Sequence, residues 1–284
     1  MSFRVSAPAS VLSGLLALTC VIGCQKPDEH PAFAEGCEVD CKPITSVSLG
    51  PGVTGGAGAG STPTAAGTGT LTGNVALLAD QTFLTATAFA KPAVVFADGA
   101  AGEPVTAPWN GSEPYVLNGV AEEVTNWVSV KPDDAQGDAL VTFQPVATNN
   151  VSNADLDVIS SGMLDQLFTS VSAQRSSTFG QVVLFFRSVG TGAPVAGLHV
   201  TLPAAQLAAY AAAAGWVLDD GTAITNSSGL VVFGNVQAAL AKGGTQTVTV
   251  TRPATATGPA TSGGNFAIKV VEGDATIATV NVQL

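Results

Sequence analysis

From residue 71 onward the chain is written in short apolar and β-branched runs, interrupted by turn residues about every ten positions. That spacing restricts it to folds made of many short strands. The runs predicted as strands are 71–78, 82–89, 93–96, 115–120, 124–130 and 139–146, then 181–187, 194–202, 223–225, 230–236, 245–251, 266–271 and 276–284. Asp98-Gly99, Asn110-Gly111, Asn118-Gly119, Asp133-Asp134 and Gly137-Asp138 punctuate the first set. Alternation is clearest where Thr247, Thr249 and Thr251 interleave with Val248 and Val250, which gives one wet and one buried face. Charged residues are only 11% of the chain and hydrophobic residues 46%, enough apolar surface for real cores.

Two stretches depart from strand grammar. Leu156, Ile159, Met163 and Leu167 fall on one helical face, with Asn153 placed to cap it. This predicts a helical connector over 148–179, joining a first β-sandwich at 70–147 to a second at 180–284. Within the second, PAAQLAAYAAAAGW over 203–216 has proline at a helix start, alanines and a terminal glycine. These predict an Ala-rich helix with Leu207, Tyr210 and Ala214 facing the sheet. The halves also echo each other. YVLNGV (115–120) and VSVKP (128–132) match LVVFGNV (230–236) and VTVTRP (248–253), which suggests internal duplication.

GAPVAGLHVT (192–201), followed by TNSSGLVVF (225–233), resembles the bacterial Ig-like and carboxypeptidase-regulatory-like, transthyretin-like domains. Pro194-Val195 would start an edge strand, Gly197 would permit a bulge, and residues 226–229 would turn into a buried run. The resemblance implies a mainly β fold of tandem Ig-like/transthyretin-like sandwiches and a non-catalytic surface module.

The amino-terminal segment speaks to location. Residues 1–23 carry one charge, Arg4, then an apolar run too short to span a bilayer, the layout of an export signal. The run ends in Val21-Ile22-Gly23-Cys24, which resembles the lipobox of bacterial lipoproteins. The resemblance implies cleavage between Gly23 and Cys24, diacylglycerol on the Cys24 sulfur, and a lipid-anchored place in the bacterial cell envelope. In that family a residue other than Asp after the cysteine goes with outer-membrane delivery, so the resemblance implies, from Gln25, the outer membrane, on its periplasmic face or at the cell surface. Residues 24–69 read as a tether, first polar and proline-bearing, then rich in Gly, Ala, Ser and Thr. About 20 such residues reach ~25 Å as a coil. Cys37 and Cys41 lie within it. A disulfide between them, half a metal site with His30, and pairing between molecules all stay open.

The net charge is −11, nearer −12 once Arg4 leaves with the signal, which argues against nucleic acid as a partner. Beyond residue 70 there is no cysteine and one histidine, His199, expected on the sheet face opposite Leu198, Val200 and Leu202. There is no GxSxG or phosphate-cradling glycine motif, so no catalytic, metal or cofactor residue is assigned. Asp133/Asp134/Asp138 and Asp219/Asp220 read as solvated turns, with Ca²⁺ as the rival reading. Trp109, in a PWNG loop, is either an exposed anchor for a protein or carbohydrate partner or part of the core. The expected function is a membrane-anchored, non-catalytic module for binding, adhesion or scaffolding. Its alternatives are a hydrolase using loop carboxylates and an assembly protein acting by strand addition. Residues 276–284 follow the last charged residue, Asp274, and would suit strand addition as an unprotected edge, or else lie centrally.

Overall fold

The structure, a computed structural model, describes residues 67–283 apart from 79, 100–102, 123, 134–137, 149–150, 239–243 and 255–258. Gly23, Cys24, Cys37, Cys41 and Asp134 lie outside the described residues. The first strand is nearly continuous over β1 (Thr68–Gly73) and β2 (Val75–Leu78), followed by β3 (Ala86–Ala88), β4 (Ala93–Asp98), β5 (Pro104–Trp109), β6 (Tyr115–Ala121), β7 (Thr125–Pro132) and β8 (Thr142–Ala147). Next come β9 (Val151–Asn153), β10 (Leu156–Ile159) and the helix α1 (Ser161–Ser170). The second half runs β11 (Gly180–Ser188), β12 (His199–Thr201), β13 (Ala205–Ala212), β14 (Gly215–Leu218), β15 (Leu230–Val236), β16 (Thr245–Arg252), β17 (Thr261–Lys269) and β18 (Ala275–Val282). The chain is mainly β, as expected.

The duplication suggested by the sequence appears in the pairing. In the first half β1 lies between β6, antiparallel, and β9, parallel; β7 lies between β4 and β8, antiparallel to both. In the second, β11 lies between β15, antiparallel, and β18, parallel, while β16 lies between β12 and β17. The echoing segments therefore occupy equivalent strands, β6 with β15 and β7 with β16. Each half closes on its own apolar cluster. One is built on Leu71, Val95, Leu117, Val130 and Val158. The other is built on Leu184, Val200, Phe233, Val250, Ile268 and Val280. Fully burying one such aliphatic side chain favours folding by about 1.5–3 kcal/mol.

The halves are fused. The order β14-β13-β15-β11-β18-β8-β7-β4-β5 makes one nine-stranded sheet, joined where Ala275 and Thr276 pair in parallel with Thr142 and Phe143. The C-terminal strand is thus central. Trp127 from the first half packs against the second core, and Lys269 from the second lies 5.0 Å from the centre of the Phe143 ring. A third cluster beneath α1 draws Leu78, Phe83 and Ile159 together with Val183, Leu230 and Ile277.

Two helix predictions need correction. The connector over 148–179 is mostly not helix: β9 and β10 pair in parallel with the first strand at one constant offset, from Thr70↔Val151 to Thr72↔Asn153 and, after a two-residue break, from Val75↔Leu156 to Leu78↔Ile159. Asn153 ends a strand, and α1 begins after Ser160, whose hydroxyl accepts from the Met163 N–H. Of the predicted stripe, Leu156 and Ile159 are buried from the strand and Met163 and Leu167 from the helix. The shared face arose because strand and helix meet over one core.

The Ala-rich helix over 203–216 is a β-hairpin. Ala209↔Leu218 to Ala212↔Gly215 pair across the turn at 213–214. Ala209, Ala211 and Leu207 face the cluster under α1, while Tyr210 and Ala208 face the second core. The period of two is there, but alanine on both faces hides it. Helix propensity yields to pairing with β15.

The residues carrying the family resemblance meet in space. Thr225 is buried; its hydroxyl donates to the Val195 carbonyl (2.9 Å) and accepts from the Leu198 N–H (3.0 Å). Asn226 turns the chain by accepting from the Ser228 N–H (2.8 Å), and Gly229 follows at φ +66°. The expected strand over 194–202 is confined to His199–Thr201, and 223–225 forms no strand, because these segments bond to each other through Thr225. A Cβ on Gly229 would sit 2.5 Å from the Phe186 carbonyl oxygen. Gly229→Ala therefore combines left-handed strain with a backbone clash and should cost at least about 2 kcal/mol. Gly190→Ala, at φ +90° with open space around it, should cost about 1 kcal/mol. Urea unfolding of the two variants checks the order; equal losses would refute this account.

Candidate functional site: a pocket walled by Asp219 and its neighbour His199

A concave site lies where β12 passes over the hairpin. It is a pocket of about 260 Å³ with Thr201, Leu202, Gln206, Leu207 and Asp219 among its walls. Tyr210 sets the geometry. Its buried hydroxyl donates to the Val200 carbonyl and accepts from the Val200 N–H, both at 2.8 Å, tying the nine-stranded sheet to β12 in the opposite layer. Burial raises the phenol to about 12; the Val200 backbone bond opposes this shift and the Asp219 charge adds to it. The phenol stays a neutral strut.

His199 is in the expected place: Leu198, Val200 and Leu202 are buried on the other face of its segment. Its imidazole is not free in solvent. Nε2 lies 3.4 Å from Asp219 Oδ2, the two side chains being 21% and 17% exposed. That nitrogen is buried without a well-directed hydrogen bond among the described residues. The two side chains therefore touch without a directed hydrogen bond between them. Asp219 is held by its other oxygen, which accepts from the Gly221 N–H (2.8 Å) and the Ala223 N–H (3.3 Å). Asp220 likewise accepts from Thr222, whose hydroxyl lowers the carboxyl below its ordinary range. Both carboxylates organise the turn after β14.

The set offers limited chemistry. Among the described residues no hydroxyl or thiol hydrogen-bonds the imidazole to complete a triad. The pocket walls bring one carboxylate, Asp219, rather than an opposed pair. No group of three or more His, Cys, Asp or Glu among the described residues is placed to hold a metal ion. No helix among them is long and apolar enough to cross a membrane.

Trp109 is corrected from candidate anchor to core. It is 3% exposed, and its indole N–H donates to the Phe89 carbonyl at 2.8 Å. Its PWNG sequence closes β5 inward, so the ring fills the first core. The exposed apolar side chains of interest lie elsewhere, on β14: Val217 is 46% and Leu218 40% exposed. Reading 203–216 as a helix left β14 unassigned and concealed Asp219 as the partner of His199. The Trp216-Val-Leu218 run after a glycine was the available signal.

No family model matches the chain, and no curated protein matches it. Solved structures it is similar to include the shaft pilin SpaA from Lactobacillus rhamnosus GG, at 9% identity, covering 77% of this chain and 98% of the pilin, with a TM-score of 0.23. The streptococcal ancillary pilin shares 9% identity, covering 76% of this chain and 69% of that one, at a TM-score of 0.23. BcpA, the major pilin subunit of Bacillus cereus, shares 11%, over 76% and 70%, at 0.22.

Two measurements test the electrostatics and the strut. Tyr210→Phe leaves both backbone groups of Val200 without their partner and should cost about 1–3 kcal/mol, read by urea unfolding; an unchanged midpoint would remove the strut. Asp157 is raised to about 6 by burial, with a contribution from the Asp155 charge. The folded state therefore holds a proton that the unfolded chain releases near pH 3.9. This group's contribution to stability is full below about pH 4 and is lost as pH rises through about 6. Asp274 shifts the same way by burial, opposed by Lys131. Asp157→Asn should flatten the stability–pH curve between pH 4 and 7 relative to the parent. It should gain on the order of 1–2 kcal/mol at pH 7.

Proposed function

We propose that this chain is an exported, lipid-anchored protein of the bacterial cell envelope that displays a non-catalytic β-sandwich body for binding, adhesion or scaffolding. The observation that carries the reading is the continuous nine-stranded sheet, which joins the two sandwiches into one body. Polar groups of the site hold architecture: Tyr210 spans the layers, Thr225 clamps the 195–198 segment, and Asp219 and Asp220 form a turn. The VIGC motif after a short apolar run supports acylation at Cys24, and the Gly/Ala/Thr-rich stretch after it supports reach from the membrane. Several acyl chains on one residue hold a protein where one would not. The partner is a protein or a carbohydrate.

The test is incorporation of radiolabelled palmitate with membrane fractionation, comparing the parent with Cys24→Ser. Label and membrane association should both be lost in the variant. Equal labelling of parent and variant, or a parent that fractionates as a soluble protein without label, would overturn the reading.

A further inference from the structure

The two ends of the nine-stranded sheet are built differently. At one end, β5 pairs with β4 alone among the described residues, and the Gly99 N–H donates to the Glu103 carbonyl. Antiparallel pairs alternate between exchanging both hydrogen bonds and exchanging none. Counting from the Gly99–Glu103 pair, the backbone groups of Pro104, Thr106 and Pro108 point away from the sheet. Two of these three outward positions lack an N–H, so this end cannot template another strand.

At the other end, β14 pairs with β13 alone among the described residues, and the Asp219 N–H donates to the Ala208 carbonyl (2.8 Å). The same alternation sends the N–H and C=O groups of Trp216 and Leu218 outward. Gly215–Leu218 has neither proline nor charge, and Val217 and Leu218 are exposed.

We propose that β14 is a self-association edge: two copies of this chain pair antiparallel through Gly215–Leu218 about a two-fold axis at Val217. The register is self-complementary. Centred on Val217, Trp216 of one copy faces Leu218 of the other, and each such pair exchanges both hydrogen bonds. All four outward groups of each strand find partners, which no register displaced by one residue achieves. The two Val217 side chains meet on one face across a close, non-bonded pair. On the other, Leu218 meets the partner's Trp216, whose ring is already fixed edge-on to Phe83 at 6.0 Å.

Charge permits the approach. Asp219 of one copy falls opposite Gly215 of the other, and the two Asp219 residues lie about 14 Å apart along the strands. That exceeds a Debye length of ~8 Å at physiological ionic strength. Because the β5 end is proline-blocked, pairing closes at two copies instead of growing into a fibre. A contact four residues long buries far less than the ~1,200 Å² of a stable interface, so the dimer is weak, with a Kd on the order of 0.1 mM.

This inference does not depend on lipid attachment, and it is tested on the full chain carrying Cys24→Ser. Sedimentation velocity up to about 1 mM protein should show a monomer–dimer equilibrium. Leu218→Pro removes an outward N–H while sparing the bonds to β13, and Val217→Lys places like charges at the axis. Each should weaken dimerisation at least tenfold, with Tm confirming that Val217→Lys remains folded even where the proline variant does not. An equimolar mixture of Val217→Lys and Val217→Glu should restore a mixed dimer. A parent that stays monomeric, a dimer indifferent to Val217→Lys, assemblies larger than two, or a mixture that fails to pair would each overturn the proposal.

Discussion

The body depends on β18 being paired along both edges. It runs parallel to β11 from Gln181↔Ala275 to Ser188↔Val282, and parallel to β8 at its start. A strand held on two sides between two covered faces has no room for charge, and Ala275–Val282 has none. Its last polar anchors are local: the Thr276 hydroxyl donates to the Lys269 carbonyl and the Gln181 N–H to the Asp274 carbonyl. Without this strand the first half would lose the one sheet pairing with the second found among the described residues. The core shared beneath α1 would lose Ala275 and Ile277.

Around that join, one pairing scheme is used twice and finished differently. In both halves the first strand pairs parallel with the last and begins with a register shift, at Gly69/Thr70 and at Gly180/Val182. In the first half the parallel pair breaks where the Asn74 N–H donates to Asp155 (2.8 Å), and the close approach leaves no space for a side chain on Gly73. Tyr115 reaches past that point to the Ala154 carbonyl, as Tyr210 reaches Val200 in the second. With few charges available, buried hydroxyls and amides fasten the layers. Asn235 shows the same economy, accepting from the Ser176 N–H (2.7 Å) and donating to the Gln174 carbonyl (3.0 Å), which fixes the segment between α1 and β11.

Strands were legible where β-branched residues alternate with polar ones, as in Thr245–Arg252, or where a run is buried throughout, as in Leu230–Val236. They were illegible where alanine removed the contrast between faces. Ala208, Ala209 and Ala211 lie on alternate sides of β13, yet their shared small size reads as helix propensity. The N-cap was misplaced for a related reason. Asn153 and Ser160 are both competent caps, and only the parallel register of β10 with β2 assigns the helix to Ser160. Of the candidate site, His199 was visible as the lone histidine beyond residue 70. Its pairing with Asp219 requires a hairpin that local sequence does not announce.

Low charge also sets how this fold must guard its margins. Ordinary sheet proteins place lysines and glutamates along exposed edges, but a chain with 11% charged residues has few to spend. Here the C-terminal strand is protected by being central, and β5 by prolines whose missing N–H groups fall where the sheet faces outward. Those prolines are compatible with β5 only because its alternate residues carry all the bonds to β4. The β14 edge has neither device, and its neighbours Asp219 and Asp220 are committed to their own turn. A sequence that shields one end of a sheet by backbone chemistry and leaves apolar side chains on the other has given its two ends different physical properties. That asymmetry determines how many copies of the sheet can be joined.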